Sequence, residues 1–225
     1  MTSIGNRIIS NIERPSKELV ESFRDIPVAN IDDCMARMGA MDSDIFRVNK
    51  SNMLGVAFTV RVPFGDNLML HKAMDIAEPG DVIIIDAGGG KERAILGELM
   101  ASYCEKRGIS GIVVDGCIRD YDALKEIEMA VYARGITPDG PYKNGPGEIN
   151  VPVSVGGKVV HPGDIVIGDC DGVIVVRPAE ARELLEEVKV LCKKEENIIN
   201  EINNKGTYIR NWVDEKLKEI GTSIE

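Results

Sequence analysis

Val113-Val114-Asp115-Gly116-Cys117-Ile118-Arg119-Asp120 joins an apolar run to a carboxylate, a glycine and an Arg–Asp pair. If the apolar run is a strand that ends at Asp115, Gly116 permits a sharp turn and the Arg–Asp pair follows at its carboxyl end. Ligands bind at that end of strands in α/β sheets. Arg119 offers a planar fork of donors for a carboxylate. Asp120 offers a hard oxygen to Mg²⁺ or Mn²⁺, a type of ion that keeps most of its waters and needs few protein ligands. The same residues would also serve as a turn closed by an ordinary surface ion pair.

A second stretch runs from Asp86-Ala87-Gly88-Gly89-Gly90-Lys91 to Ala94-Ile95-Leu96-Gly97-Glu98-Leu99-Met100. A helix begun at Lys91 would hold Gly97 in its interior, at a cost of about 1 kcal/mol relative to alanine. A start near Gly97 avoids that cost and places Glu98 in the first turn, where the helix dipole favours an acid. It also leaves the N–H groups of Gly97 to Met100 open to an anion. This helix and Arg119 follow two successive strands, so they are expected to share one pocket. Amides and Arg119 would hold a carboxylate there, and Asp120 a metal. On the plainer reading the glycines only make a turn.

Other motifs fall short. Asp86-x-Gly88-x-Gly90 lacks the third glycine of a dinucleotide or methyltransferase loop, and no Ser or Thr follows Gly90-Lys91 as a P-loop requires. His71 and His161 are far apart, without a His-x-x-x-His pair for zinc. No Gly-x-Ser-x-Gly elbow is present.

The elements that must position these residues can be read from periodicity. Up to about Lys50 the chain reads helical. Ser16 is a candidate N-cap, and a second stretch with Ile31, Met35 and Met38 is expected to close at Gly39, its methionines packed in the core. Strands are expected at Val56–Val62, Val82–Asp86 and Gly111–Asp115, and a helix at 67–77. The two later strands are apolar on both faces, as in covered, mostly parallel sheets, and the strand–helix–strand unit predicts a right-handed crossover. Val131–Arg134 reads as a strand and 137–150 as a loop. Short strands follow at 151–155, 159–160, 165–167 and 173–176, with Gly156-Gly157 as a hairpin signal. From Pro178 the chain reads helical, with Leu184, Leu185, Val188 and Leu191 on one stripe. Gly206 breaks it before a last helix bearing Trp212, Val213 and Leu217.

Composition excludes several classes. The net charge is −10 and the pI about 4.9, a poor match to a phosphate backbone. Aromatic residues are 4%, too few for stacking platforms, so no nucleic-acid partner is expected. No apolar run approaches the roughly 20 residues of a membrane helix. The first fifteen residues lack the apolar core of a signal peptide. Five widely spaced cysteines without a Cys-x-x-Cys pair argue against a disulfide framework and for a reducing, cytoplasmic setting.

Taken in order, the motifs resemble the RraA-like family, which includes 4-hydroxy-4-methyl-2-oxoglutarate and 4-carboxy-4-hydroxy-2-oxoadipate aldolases. The resemblance covers roughly Ile31 to Pro178. It rests on Gly65-Asp66-Asn67, Pro79-Gly80-Asp81-Val82, Gly97-Glu98-Leu99, and Gly108-x-x-Gly111-x-x-x-Asp115-Gly116-x-x-Arg119-Asp120. Further on come Ala133-Arg134-Gly135-x-Thr137-Pro138, Gly147-Glu148-Ile149-Asn150-Val151-Pro152-Val153, Gly156-Gly157, Pro162-Gly163-Asp164 and Gly168-Asp169-x-Asp171-Gly172-Val173. The resemblance implies a mixed α/β sandwich of the swivelling-domain type, here with N-terminal and C-terminal helices, and a homotrimer or hexamer. The chain is expected to divide into an RraA-like α/β domain over 1–178, N-terminal helices included, and a C-terminal helical extension over 179–225 that belongs to the same domain or forms an oligomer arm.

For the site, the resemblance implies that the backbone of Gly97, Glu98, Leu99 and Met100 and the Arg119 guanidinium hold pyruvate. Asp120 positions a divalent cation, Mg²⁺ or Mn²⁺, largely through water. An acidic residue twenty-one before the Arg is typical of the aldolases, often Asp; here it is Glu98. The implied reaction is cleavage of a 4-hydroxy-2-oxo acid to pyruvate and a second oxo acid. The cation would act as a Lewis acid, Arg119 would stabilise the enolate oxygen, and a base, such as a metal-bound water oriented by Glu98, would take the 4-hydroxyl proton. Oxaloacetate decarboxylation passes through the same enolate and is expected as a second activity. Relatives of the RraA type instead inhibit a ribonuclease, and an acidic surface would suit a basic partner. The incomplete glycine motif argues against a menaquinone methyltransferase, another label used in this family.

Overall fold

The computed structural model describes residues 3–223. In chain order the elements are β1 (Asn6–Ile8), α1 (Lys17–Glu21), α2 (Val28–Cys34), β2 (Phe46–Arg47), β3 (Met53–Arg61), α3 (Leu68–Ile76), β4 (Asp81–Leu96), α4 (Glu98–Lys106) and β5 (Gly111–Ile118). They continue as α5 (Tyr121–Lys125), β6 (Ala130–Ile136), β7 (Gly147–Ile149), β8 (Val153–Val155), β9 (Lys158–Val160), β10 (Ile165–Gly168), β11 (Val173–Val176), α6 (Ala181–Lys205) and α7 (Asn211–Glu219).

β3, β4, β5 and β6 form the parallel centre of a nine-stranded mixed sheet. The other edge of β3 is shared. β10 pairs antiparallel with 53–56 and β7 with 60–61. β1 adds parallel to β7, β2 antiparallel to β6, and β11 to β10. β8 and β9 make a separate hairpin across Gly156 and Gly157, both at positive φ as the tight turn demands.

Strand residues alternate between two cores. Phe58, Val60, Ile83, Ile85, Ile112, Val114 and Val131 pack with Leu70, Ala73, Ala101, Cys104 and Leu124 from α3, α4 and α5. Ala57, Val82, Ile84, Val113 and Tyr132 face Val153, Val155, Val160, Val166 and Val173 from the hairpins. Each buried isoleucine or valine contributes about 1.5–3 kcal/mol. The result is the expected mixed α/β sandwich, with helices over one face and hairpins over the other.

Several expectations need correction. Among the described residues, the segment before Lys50 holds two short helices and the strands β1 and β2. Ser16 does cap α1, its hydroxyl accepting the Leu19 N–H. The second helix, however, stops at Cys34 rather than at Gly39, because Ala36 and Arg37 take positive φ. Met38 is 70% exposed and is not core. The strand expected to end at Asp115 runs through Gly116 to Ile118, because Gly116, Cys117 and Ile118 keep pairing with Gly90, Ala94 and Leu96 of β4. The Gly88–Gly90 turn is likewise a bulge within one long strand, and the expected loop at 137–150 closes in β7.

The chain divides into two compact units, Met1–Leu185 and Glu186–Glu225. The first holds the sheet, its covering layers and the start of α6, with Leu184 and Leu185 buried. The second holds the rest of α6, the break at Gly206 (φ 63°) and α7, which bears Trp212, Val213 and Leu217 as expected.

Candidate active site

Gly97 is the N-cap of α4, as the cost of an interior glycine predicted. It is reached because β4 shifts register against β5 three times, at 86–90, 90–94 and 94–96, and still meets β5 through Ala94 and Leu96. The chain therefore leaves β4 at Gly97 and β5 at Arg119 side by side. Arg119 N–H donates to Leu96 O at 3.0 Å, tying the two exits together.

Asp120 follows with φ 58° and ψ 40°, left-handed backbone of the kind aspartate tolerates better than most residues. Its Oδ2 accepts the Glu98 N–H at 3.0 Å and lies 3.7 Å from Arg119 Nε. Its Oδ1 has no hydrogen-bond partner among the described residues. A Cβ on Gly97 would stand 2.5 Å from Asp120 Oδ2 and 3.2 Å from Arg119 Cγ and Nε, so only glycine leaves both side chains where they are.

These groups border a cavity of about 220 Å³ lined by Gly97, Leu99, Met100, Arg119 and Asp120, together with Asn67, His71 and Lys143. Of the residues singled out from the sequence, Gly97, Leu99, Met100, Arg119 and Asp120 meet here. Glu98 meets them through its N–H, while its side chain is exposed and outside the cavity lining. The Leu99 and Met100 N–H groups, in the first turn of α4, have no acceptor in the protein among the described residues and carry the positive end of the helix dipole.

Asn67, His71 and Lys143 were missed in the sequence reading. Asn67 is buried, and its Nδ2 donates to Ile95 O at 2.9 Å. Its Oδ1 is a buried polar atom without a partner among the described residues, and so is the Nε2 of His71 one helical turn later. Such atoms cost free energy unless something satisfies them. Burial holds the His71 pKa below its ordinary value, the Lys143 charge lowers it further, and Asp75 opposes both. Only Asn67 has a local signal, the Gly65-Asp66-Asn67 motif just ahead of α3, of which it is the N-cap.

Three other candidates do not join this cavity. Asp115 spends its carboxylate on structure, taking Arg134 Nε and the Gly156 N–H, the latter at 2.8 Å. Gly88 to Gly90 open no helix, so they form no phosphate loop. Asp169, Cys170 and Asp171 form the one group of three close ligand atoms among the described residues. Both Asp169 oxygens, however, accept backbone N–H groups of the local turn and of Val28.

Does the cavity suit a divalent cation? Asp120 presents a carboxylate oxygen without a partner, and Asn67, whose amide oxygen is also unsatisfied, lines the same cavity. Hard oxygen donors suit Mg²⁺ or Mn²⁺, and a single carboxylate is enough for an ion that keeps its waters. The residues fit the group.

The family model RraA-like, described as Aldolase/RraA, matches residues 28–175. The chain belongs to this family. A Halalkalibacterium halodurans protein named "Putative 4-hydroxy-4-methyl-2-oxoglutarate aldolase" is 41% identical over 173 residues, covering 76% of this chain and 82% of that protein. Among solved structures, the RNA-processing inhibitor RraA from Thermus thermophilis superposes with a TM-score of 0.62 at 29% identity, covering 67% of this chain and 92% of the other. Streptomyces coelicolor RraAS2, an unusual member of the RNase ES inhibitor RraA protein family, gives 0.72 at 28% identity over 81% and 97%. The matched segment contains the whole lining of the cavity, so this member of the family carries its candidate site within the shared fold.

Proposed function

We propose that this protein is a divalent-metal-dependent aldolase that cleaves a 4-hydroxy-2-oxo acid, such as 4-hydroxy-4-methyl-2-oxoglutarate, to pyruvate and a second oxo acid. One observation carries the reading: Arg119, Asp120 and the free N–H groups of α4 line one small cavity.

The assignments follow from the chemistry of the groups. The Leu99 and Met100 N–H groups receive the substrate carboxylate at the helix N-terminus. The Arg119 guanidinium donates to the C2 oxygen. That oxygen gains negative charge as the C3–C4 bond breaks, so the interaction strengthens on the way to the transition state. Asp120 would hold the cation, with Asn67 Oδ1 as a further oxygen in reach of the cavity. When bound, the cation supplies Lewis-acid polarisation of the 2-oxo group. The Glu98 N–H fixes the Asp120 carboxylate, and the exposed Glu98 side chain is assigned the 4-hydroxyl proton through a water. Oxaloacetate loses CO₂ through the same pyruvate enolate, so decarboxylation belongs to the proposal. The assembly is proposed to be a homotrimer or hexamer.

Pyruvate release from 4-hydroxy-4-methyl-2-oxoglutarate and from oxaloacetate, with Mg²⁺, with Mn²⁺ and with EDTA, tests the reading. Release above the metal-only background, abolished by EDTA, is expected. Its absence with both substrates would retire the aldolase.

The similarity to two RraA structures, together with a charge of −10, favours one second reading, a non-enzymatic regulator that binds and inhibits a ribonuclease. Ribonuclease inhibition that persists in EDTA would select it.

A further inference from the structure

A cavity of about 460 Å³ lies at the opposite ends of the same strands, where Gly80 and Ser110 lead into β4 and β5. Small-molecule sites run from roughly 300 to 1,000 Å³. α1 supplies Lys17, Val20 and Glu21 to its lining. A second cavity of about 250 Å³ adjoins it, since Leu54 and Arg24 line both.

Where the two adjoin, the edge of β3 is open. Ala57 turns its backbone toward β10: its N–H donates to Asp164 O at 2.8 Å, and its C=O accepts the Gly163 N–H at 2.9 Å. Val56 turns the other way, and its N–H donates to Gly80 O at 3.2 Å. Backbone groups alternate in direction along a strand, so Gly55 faces β10 and Leu54 faces the β4 side. β4 begins only at Asp81, opposite Val56, so Leu54 meets no strand there. Its N–H and C=O have no partner among the described residues. A donor and an acceptor side by side on one residue are what an extended chain pairs with when it adds to a sheet edge.

The charges around the larger cavity leave one cation over. Arg14 holds Asp81 with two hydrogen bonds, at 3.0 and 2.9 Å, and Glu78 at 3.3 Å. Arg24 holds Glu21 at 2.6 and 2.7 Å. Lys17 forms no ion pair among the described residues. One free ammonium calls for one negative charge, and three carboxylates in the same lining oppose a phosphate monoester, which brings nearly two. Pro15, Val20, Leu54, Val56 and Pro79 add apolar surface.

We propose that these cavities receive the C-terminal end of an extended peptide with an apolar last residue. The penultimate residue pairs with the N–H and C=O of Leu54, and the free carboxylate meets Lys17. The last side chain lies on Val20, Val56 and Pro79, and the chain before it passes Arg24 into the smaller cavity. This site is separate from the one at Arg119 and does not depend on the aldolase reaction.

The peptide acetyl-Ala-Ala-Leu, titrated as the free acid into the full 225-residue chain by calorimetry, tests the assignment. NMR follows the amide signals of Leu54 and, as a marker of the other cavity, Gly97. The acid is expected to bind and to shift Leu54 while leaving Gly97 in place. Its C-terminal carboxamide should bind roughly tenfold more weakly, as loss of one charge-assisted contact warrants. Methylating the nitrogen of the penultimate alanine removes a donor and should cost roughly fivefold. Lys17→Met should bring the acid down to the carboxamide and leave the carboxamide unchanged, whereas Lys17→Arg should keep the difference. Lys17 is exposed at the first position of α1, so both variants should fold. Lys17→Met should also leave any pyruvate release as it is, and EDTA should change none of the affinities. Absence of binding, equal affinity for acid and carboxamide, or indifference to Lys17→Met or to the methyl group would overturn the assignment. Binding that EDTA weakens, or that shifts Gly97 in place of Leu54, would overturn it as well.

Discussion

Asp120 Oδ2 accepts the N–H of Glu98 at 3.0 Å, so the acid that follows β5 caps the helix that follows β4. This one contact joins the cation candidate to the helix end that is to hold the substrate carboxylate. It works because Gly97, between the two, has no side chain.

Gly97→Ala is expected to push Asp120 and Arg119 aside while the protein still folds, since the Gly97 backbone is extended at φ −145° and open to alanine. The obstructing atoms, Asp120 Oδ2 and Arg119 Cγ and Nε, belong to side chains rather than backbone and can move. We expect the thermal midpoint to shift by less than about 4 °C and kcat/KM to fall by roughly tenfold or more, as misplacement near the chemistry does. Melting curves and pyruvate-release kinetics on one preparation check both.

Arg119→Ala should lower kcat by roughly 10²–10³, the loss seen when one preorganised donor to a developing oxyanion is removed. Circular dichroism should be unchanged, because the Arg119 side chain is 45% exposed and anchors no core residue. An Arg119→Ala protein with full turnover would sink the assignment.

Much of this site was legible because its parts lie within two short stretches, and each stretch breaks a local rule. A glycine that would cost a helix its interior marked the start of α4, and an Arg–Asp pair after a buried run marked the exit from β5. Asn67, His71 and Lys143 reach the cavity from α3 and from a loop far along the chain, and long-range closure leaves no local trace. The same holds for the fold. β4 looked like a strand, a turn and a helix because its bulged glycines mimic a turn, and only pairing with Cys117 and Ile118 shows that the strand resumes. β1 has three exposed residues and no alternation, so nothing in its sequence announced an edge strand.

Arg93→Ala should loosen the loop that carries Lys143. It removes the stacking on Tyr142 and two hydrogen bonds, at a cost of about 1–2 kcal/mol. Urea denaturation should show that loss. Arg93→Lys should recover only part of it, since an ammonium cannot fork to Gly140 O and Tyr142 Oη together.

Acid should weaken the fold through His71. Its pKa is held below the ordinary 6.5 by burial, with Lys143 adding to the effect and Asp75 opposing it. Between the folded and unfolded values the unfolded chain binds more protons, so stability rises with pH there and falls as pH drops below about 6.5. Denaturation midpoints at pH 7.5 and pH 5.5 should differ less in His71→Gln than in the wild type.

Cys104 should be inert in the native protein. Burial pushes its thiol up to about 12, whereas Cys170 is exposed. A disulfide reagent at pH 8 should therefore label Cys170 first and reach Cys104 only after denaturant is added. Mass mapping of the labelled peptides reads the order, and early labelling of Cys104 would contradict its place on the buried face of α4.

The three register breaks in β4 leave 87–89, 91–93 and Ile95 outside the ladder with β5 while Ala94 and Leu96 rejoin it. Residues gained or lost in those bulges change the rim of the sheet without moving Gly97. The strand thus separates a stretch free to drift in length from an anchor that is not, so descendants of this chain can remodel the approach to the cavity while inheriting its chemistry intact.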